Sequence, residues 1–485
     1  TIKLDGNYPV GTNNVALGNT ALDSVEASGN NNTAIGSNAG TAITTGDNNV
    51  AIGTSALTSH TTGANNIGIG VLALSANTSG AQNVAVGDNA LATNITGLRN
   101  TAVGYWASRL STGADNVAMG YNCLGSNTGA SNTAIGTRAL QSNTTAADNT
   151  AVGYATLYSN TTGTDNNALG KNALYSNTTG SDNTAMGDGA GYFNTTGSFN
   201  TALGFRALRS NTTASYNTAV GYQAAYTNVT GQVEAFGYQA LYNNTGNYNQ
   251  AFGYQALNSN TSGSYNIAMG RGAVQLNTTG SNNVGIGFQA LVNNTTASNN
   301  TAVGYQAGLN NTTGYDDVYL GNQAGYTSST GLGNIAVGSK ALFSNTADLN
   351  VAIGSTQSAF GIKGALETNT TGSVNVAIST GALGLNTTGS NNVAIGYRSL
   401  YSNTTANNNT ALGYQAGYST TTGFNNTIFG HLAGHANTTG QRNAYIGQGA
   451  GYSMTTGSKN TILGSYNGNQ GGLDIRTSSN NIVLS

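Results

Sequence analysis

Few side chains in this 485-residue chain could carry chemistry. His431 and His435 stand in "HLAGH", an i, i+4 spacing that would suit a metal on a helix. The third histidine, His60, lies far away in sequence. Cys123 is the one thiol and can form no internal disulfide; it occupies a position that neighbouring segments fill with Ala, which predicts a small buried thiol rather than a nucleophile. Asp316 and Asp317 are adjacent, but no partner acid recurs in register, so paired acid–base catalysis has little support. The stretches "GIGVLA" (68–73) and "GIGFQA" (285–290) have the glycines of a phosphate loop and no helix to follow them. Numerous N-T-T and N-T-S triplets fit glycosylation acceptors, yet turn chemistry accounts for them. The sequence predicts no enzyme, no metal and no cofactor.

Composition narrows the classes further. Charged residues make up 6% of the chain and the formal net charge is −2, against about 25% charged in an ordinary soluble domain. The 14 basic residues are scattered, which argues against nucleic-acid binding, a task that needs clustered Lys and Arg. No apolar run approaches the roughly 20 residues of a membrane helix, so no membrane insertion is expected. The surface must be built of Asn, Thr, Ser and Gly.

The remaining candidates come in rows, and the rows come from a repeat. With the Asn of N-x-A-x-G as anchor, 28 anchors run from Asn14 to Asn481, and 19 of the 27 steps between them are 17 residues. Numbered from that Asn as slot 1, the unit reads N-[TV]-A-[VIL]-G-Y-Q-A-L-Y-S-N-T-T-G-S-x. Slot 1 is Asn in 26 of 28 anchors, with Val233 and Asp317 departing, and slot 5 is Gly in 26. Three glycines and an N-T-T-G break leave too little uninterrupted length for a helix. N-T-A-V-G reads as a short strand, with slots 2 and 4 on one side and slot 3 on the other. S-N-T-T-G-S then turns the chain. One short repeat cannot bury its own apolar side, so neighbours must stack.

The predicted fold is therefore all-β: a parallel β-solenoid or β-roll of about 27 tandem repeats. Twenty-seven coils at about 4.8 Å each would make a rod roughly 130 Å long. The array is expected over 14–464, after a lead-in at 1–13, with a loop insertion near 355–374 and an exit segment at 465–485. No domain boundary is visible, and the uncapped ends predict that the native protein continues beyond both. Slot 4 admits no polar residue, which predicts that it points inward. Slot 3 is usually Ala, which predicts a very close neighbour and would suit a chain–chain contact. In-register stacking predicts an Asn ladder through Asn149, Asn166, Asn183, Asn200 and Asn217, and a second through slot 12. It also penalises charge, because each charge would sit above its own copy.

Aromatic residues mark two further slots. Slot 6 carries Tyr105, Tyr121, Tyr154, Tyr222, Tyr238 and Tyr254; slot 10 carries Tyr158, Tyr175 and Tyr192. His431 and His435 fall in these same slots, as substitutes for Tyr. Such rows can stiffen the roll or a subunit interface by ring stacking. They could also form a shallow surface that stacks on sugars.

The units "NNVAIGTSAL", "NTAVGYQAG" and "NNVAIGYRSL" resemble the head repeats of YadA-like trimeric autotransporter adhesins. The longer "GYQALxSNTTGSxN" form and the closing "LDIRTSSNNIVLS" are more similar to bacteriophage tail-fibre proteins. The resemblance implies a β-roll in a homotrimeric fibre, located on a virion or a cell surface. It further implies other virion proteins and a host cell-surface glycan or protein as partners. The functional expectation is a structural, adhesive tail-fibre shaft, with a bacterial surface adhesin as the alternative. An ice-binding solenoid is a third reading, prompted by pairs such as Thr161-Thr162. It is weakened because adjacent strand residues point to opposite faces.

Overall fold

The computed structural model describes residues 10–485, so the first nine residues of the expected lead-in lie outside it. The chain falls into two compact units, Thr1–Phe236 and Gly237–Ser485, where the sequence offered one unmarked array. Each is a parallel β-solenoid. Among the described residues the first unit stacks fourteen strands of three or four residues, from Val15–Leu17 to Val233–Phe236. The second stacks fourteen more, from Asn249–Phe252 to Ile482–Leu484. Pairing is in register, slot on slot: Asn167 opposite Thr184, Ala168 opposite Ala185, Leu169 opposite Met186. At about 4.8 Å per coil, each stack is roughly 60 Å tall.

Only a small part of each coil is strand, yet the whole circuit is bonded to its neighbours. The Leu174 amide donates to the Ala190 carbonyl at 2.9 Å, Ser176 to Tyr192 at 3.0 Å and Thr178 to Thr195 at 2.8 Å. Slot 5 turns the strand at Gly170 with φ near +127°, where an added Cβ would stand 2.7 Å from the Gly187 carbonyl oxygen. That double constraint explains the Gly column.

The interior corrects the sequence reading of slot 4. In every described coil slot 3 lies between two outward residues, and in all but the first and last coils slot 3 is buried: Ala34, Ala168, Ala202 and Ala394 are almost fully enclosed. Slot 4, expected inside, is at least partly exposed throughout, as at Leu169 (47%) and Leu412 (48%). The Ala column is small because the coil is thin and its own far wall comes close, so it provides no chain–chain contact. The core is completed by Ala in slot 8 and Leu in slot 9, such as Ala173 with Leu174.

Those slot-9 leucines take an unusual backbone. Leu57, Leu174, Leu241 and Leu400 have φ between +47° and +52°, with slot 7 left-handed two residues earlier, as at Asn172 and Arg398. A bulky residue there pays about 1–2 kcal/mol against its right-handed form. Burial of the Leu side chain, worth about 1.5–3 kcal/mol, offsets it.

Two excursions leave the regular coil. The insertion carries a 3-10 turn, Ser358–Phe360, closed by a bridge between Gln357 and Ile362. Its base is pinned by the buried Glu367 carboxylate, which accepts from the Gly364 amide at 2.6 Å, from Lys363 at 3.2 Å and from the Thr356 hydroxyl. In 465–485 an antiparallel pair, Asn469–Gln470 with Leu473–Asp474, precedes a final strand that pairs in parallel with Thr461–Leu463.

Candidate functional site in buried ladders and surface rows

The predicted Asn ladder is present, and it grips more than its own copies. Asn166 donates from Nδ2 to Asn149 Oδ1 at 3.1 Å and to the Gly180 carbonyl at 2.9 Å, while its backbone amide donates to the same Asn149 Oδ1 at 3.0 Å. Asn183 repeats this upon Asn166, and Asn217 stacks likewise on Asn200. In slot 12, Asn177 donates to Asn160 Oδ1 and to the Gly180 carbonyl, both at 2.9 Å. The two ladders thus share the slot-15 carbonyl. At Asn166 both amide hydrogens and both oxygen lone pairs are used, which makes full burial tolerable.

Departures from Asn show how strict the pattern is. At Val233 the missing amide is replaced by Asn228, whose Nδ2 donates to Asn217 Oδ1 at 3.0 Å. His60 takes a slot-12 place and bonds the Gly63 carbonyl through Nε2 at 2.8 Å, leaving Nδ1 without a partner. Burial lowers its pKa, disfavouring the charged imidazolium. Asp317 accepts the Asn334 amide through Oδ1 at 2.8 Å as an Asn would, but Oδ2 and the facing Asn334 Nδ2 are both unpartnered. Burial raises its carboxyl to about 7.

The surface tyrosines form stacked runs. Tyr158, Tyr175 and Tyr192 stack with centroids 5.0 and 5.1 Å apart and planes within 6°. In slot 6, Tyr238 and Tyr254 stack at 5.0 Å, Tyr222 lies on Phe205 at 5.2 Å, and Tyr105 and Tyr121 are 6.0 Å apart with Trp106 against both. Tyr154 has Thr137 and Lys171 in slot 6 of the adjacent coils and so no like ring to stack on. His435 is sandwiched between Tyr418 and Tyr452 at 5.1 and 5.0 Å, and His431 lies on Tyr414 at 5.3 Å. The two histidines therefore belong to separate rows. Stacking occupies ring faces: Tyr175 has a ring on each side and presents only its edge outward, which disfavours a sugar lying flat on it.

Chemistry elsewhere is sparse. Cys123 is buried in the slot-8 Ala column, and burial pushes its thiol up to about 12, far from a reactive thiolate. Among the described residues, no group of three His, Cys, Asp or Glu is placed to hold a metal ion, and no helix is long and apolar enough to cross a membrane. The outward place of the slot-4 row is not legible in sequence, because absence of polar residues has the same look whether a row lies inside the coil or on its surface. Comparison with known protein families, curated proteins and solved structures finds no match.

Proposed function

We propose that this chain is a non-enzymatic structural element, the stiff shaft of a bacteriophage tail fibre that carries a host-attachment surface. The observation that carries the reading is the in-register stack itself. Most coils repeat the same buried Asn, Ala and Leu, so most buried polar groups are consumed in ladders. A repeat of this kind supplies rigidity and length, and it offers no unique cluster of polar groups for catalysis. Homotrimeric assembly, and a host glycan or protein as receptor, follow from the resemblance of the N-x-A-x-G units to fibre and adhesin repeats.

Antibodies raised against the purified chain test this directly. They are expected to decorate the fibres of the virion whose genome carries the gene and to reduce adsorption to host cells. Labelling of a bacterial envelope, with a membrane-anchor barrel encoded downstream, would assign the chain to a surface adhesin instead. Glycan cleavage by the purified chain would remove the structural reading altogether.

A further inference from the structure

The insertion in the second unit is also where positive charge collects. In slot 7 the preceding coils carry a glutamine ladder: Gln306 donates to Gln289 at 3.0 Å and Gln323 to Gln306 at 3.1 Å. The next four coils replace it with Lys340, Thr356, Gly381 and Arg398. The insertion that follows Thr356 folds back onto this column, into a notch left by two glycines. A Cβ on Gly381 would stand 2.9 Å from Arg398 Cγ and 3.3 Å from Ile362. One on Gly384 would stand 3.2 Å from Lys363 Cβ and 2.9 Å from the Tyr401 ring. Side chains in those two slots would push the insertion off the coil.

Three cations are thereby set in one strip. Lys340 and Arg398 are three coils apart, roughly 14 Å. Lys363 enters between them, because Gly364 packs on the Lys340 carbonyl, 3.3 Å from an added Cβ, while Lys363 itself adjoins Gly384. Glu367 is the one acid in slots 6–10 of these coils, and it is already engaged by Thr356, Lys363 and Gly364. Among the described residues Lys340 and Arg398 take part in no ion pair. They lie on rings instead: Lys340 Nζ is 5.6 Å from the Phe343 centroid, and the Arg398 guanidinium is 5.2 Å from Tyr401 and 5.6 Å from Tyr397. Arg398 Nε finds no acceptor. A ring face holds a cation in place without neutralising it.

We propose that Lys340, Lys363 and Arg398 form a binding site for the oxyanion of an acidic surface glycan, a carboxylate or a phosphate ester carried on sugar. The planar fork of Arg398 matches a pair of such oxygens, and the two ammonium groups add point charges beside it. A peptide strand fits less well. Val376 is paired with Val351 on one side and Val393 on the other, so the coils of the strip leave no free strand edge to extend. Charge selects the oxyanion; that a glycan carries it rests on the host-attachment reading above.

The full 485-residue chain is titrated calorimetrically with a glucuronate-bearing oligosaccharide, a phosphorylated mannose oligosaccharide, the uncharged counterpart of each, and a polyglutamate peptide. At least one acidic oligosaccharide is expected to bind and neither neutral one; which of the acidic probes binds separates carboxylate from phosphate. Raising sodium chloride from about 0.05 to about 0.5 M should weaken the binding. Arg398→Gln should weaken it by roughly tenfold or more. Arg442→Gln removes an exposed cation in slot 17, outside the strip, and should leave it unchanged. Circular dichroism checks that both variants keep the stack. If Arg398→Gln misfolds, Lys340→Gln, which continues the Gln323 ladder, gives the same comparison. Equal binding of a neutral oligosaccharide, unchanged affinity in the strip variants, or no binding of either acidic probe overturns the proposal. Tighter binding of polyglutamate gives the strip to an acidic protein and overturns it too. Acidic-glycan binding that depends on Arg398, with antibodies labelling no virion, keeps the site and removes the tail-fibre reading. Labelled virions whose chain binds no acidic glycan keep the fibre and remove the site.

Discussion

Asp317 is the residue at which the ladder rule and the sequence disagree. Its Oδ2 stands where the neighbouring slot-1 Asn residues have a donor, and burial disfavours the charged carboxylate there. The folded carboxyl is raised to about 7 from an ordinary 3.8. Above pH 4 the unfolded chain loses this proton while the folded chain keeps it, so stability falls as pH rises towards about 7 and then levels off. Asp317→Asn should restore the donor and abolish that slope, with a gain on the order of 4 kcal/mol above pH 7. Melting of both chains at pH 4, 6 and 8 measures it; parallel pH profiles would refute the protonated ladder. Asn183→Ala probes the ordinary case. It strands the buried Asn200 amide, which donates to Asn183 Oδ1 at 3.0 Å, and is expected to cost about 2–3 kcal/mol in urea unfolding.

Within a coil, slot 3 and slot 9 share one interior volume. Where slot 3 is large, slot 9 is glycine on both sides of it. Tyr319 lies between Gly308 and Gly325, and Tyr445 between Gly434 and Gly451. A Cβ added to Gly308 would stand 2.7 Å from the Tyr319 ring, and one on Gly434 2.8 Å from Tyr445. Gly308→Leu should therefore destabilise by about 2–3 kcal/mol alone and much less when combined with Tyr319→Ala. A thermodynamic cycle with no coupling would show that the two slots do not compete. Hydrogen exchange should place the loosening in adjacent coils only, as expected of a one-dimensional stack.

Across the whole chain, charge has little to do. Three ion pairs occur among the described residues, and Arg99 with Asp115 and Arg476 with Asp474 are exposed on both sides. Exposed pairs contribute about 0–1 kcal/mol. The stacks are held by ladders and thin apolar cores, neither of which is screened by ions. Raising sodium chloride from about 0.1 to 1 M should shift the melting temperature by no more than a few degrees. A large drop would reveal an electrostatic contribution that the geometry does not contain.

The 17-residue period, read with the Asn and Gly columns, was enough to determine a parallel, in-register solenoid. The reason is that a residue type repeated at a fixed interval satisfies its hydrogen bonds only by lying on its own copy. The Asn149 to Asn217 ladder and the places of His431 and His435 followed from that alone. Which side of the strand faces inward did not follow. Ala and Val are both apolar, and the choice depends on how near the opposite wall comes, a distance set by Leu in a left-handed conformation that leucine's own preferences do not announce. Closure of the coil put alanine inside and left Leu169 and its equivalents outside.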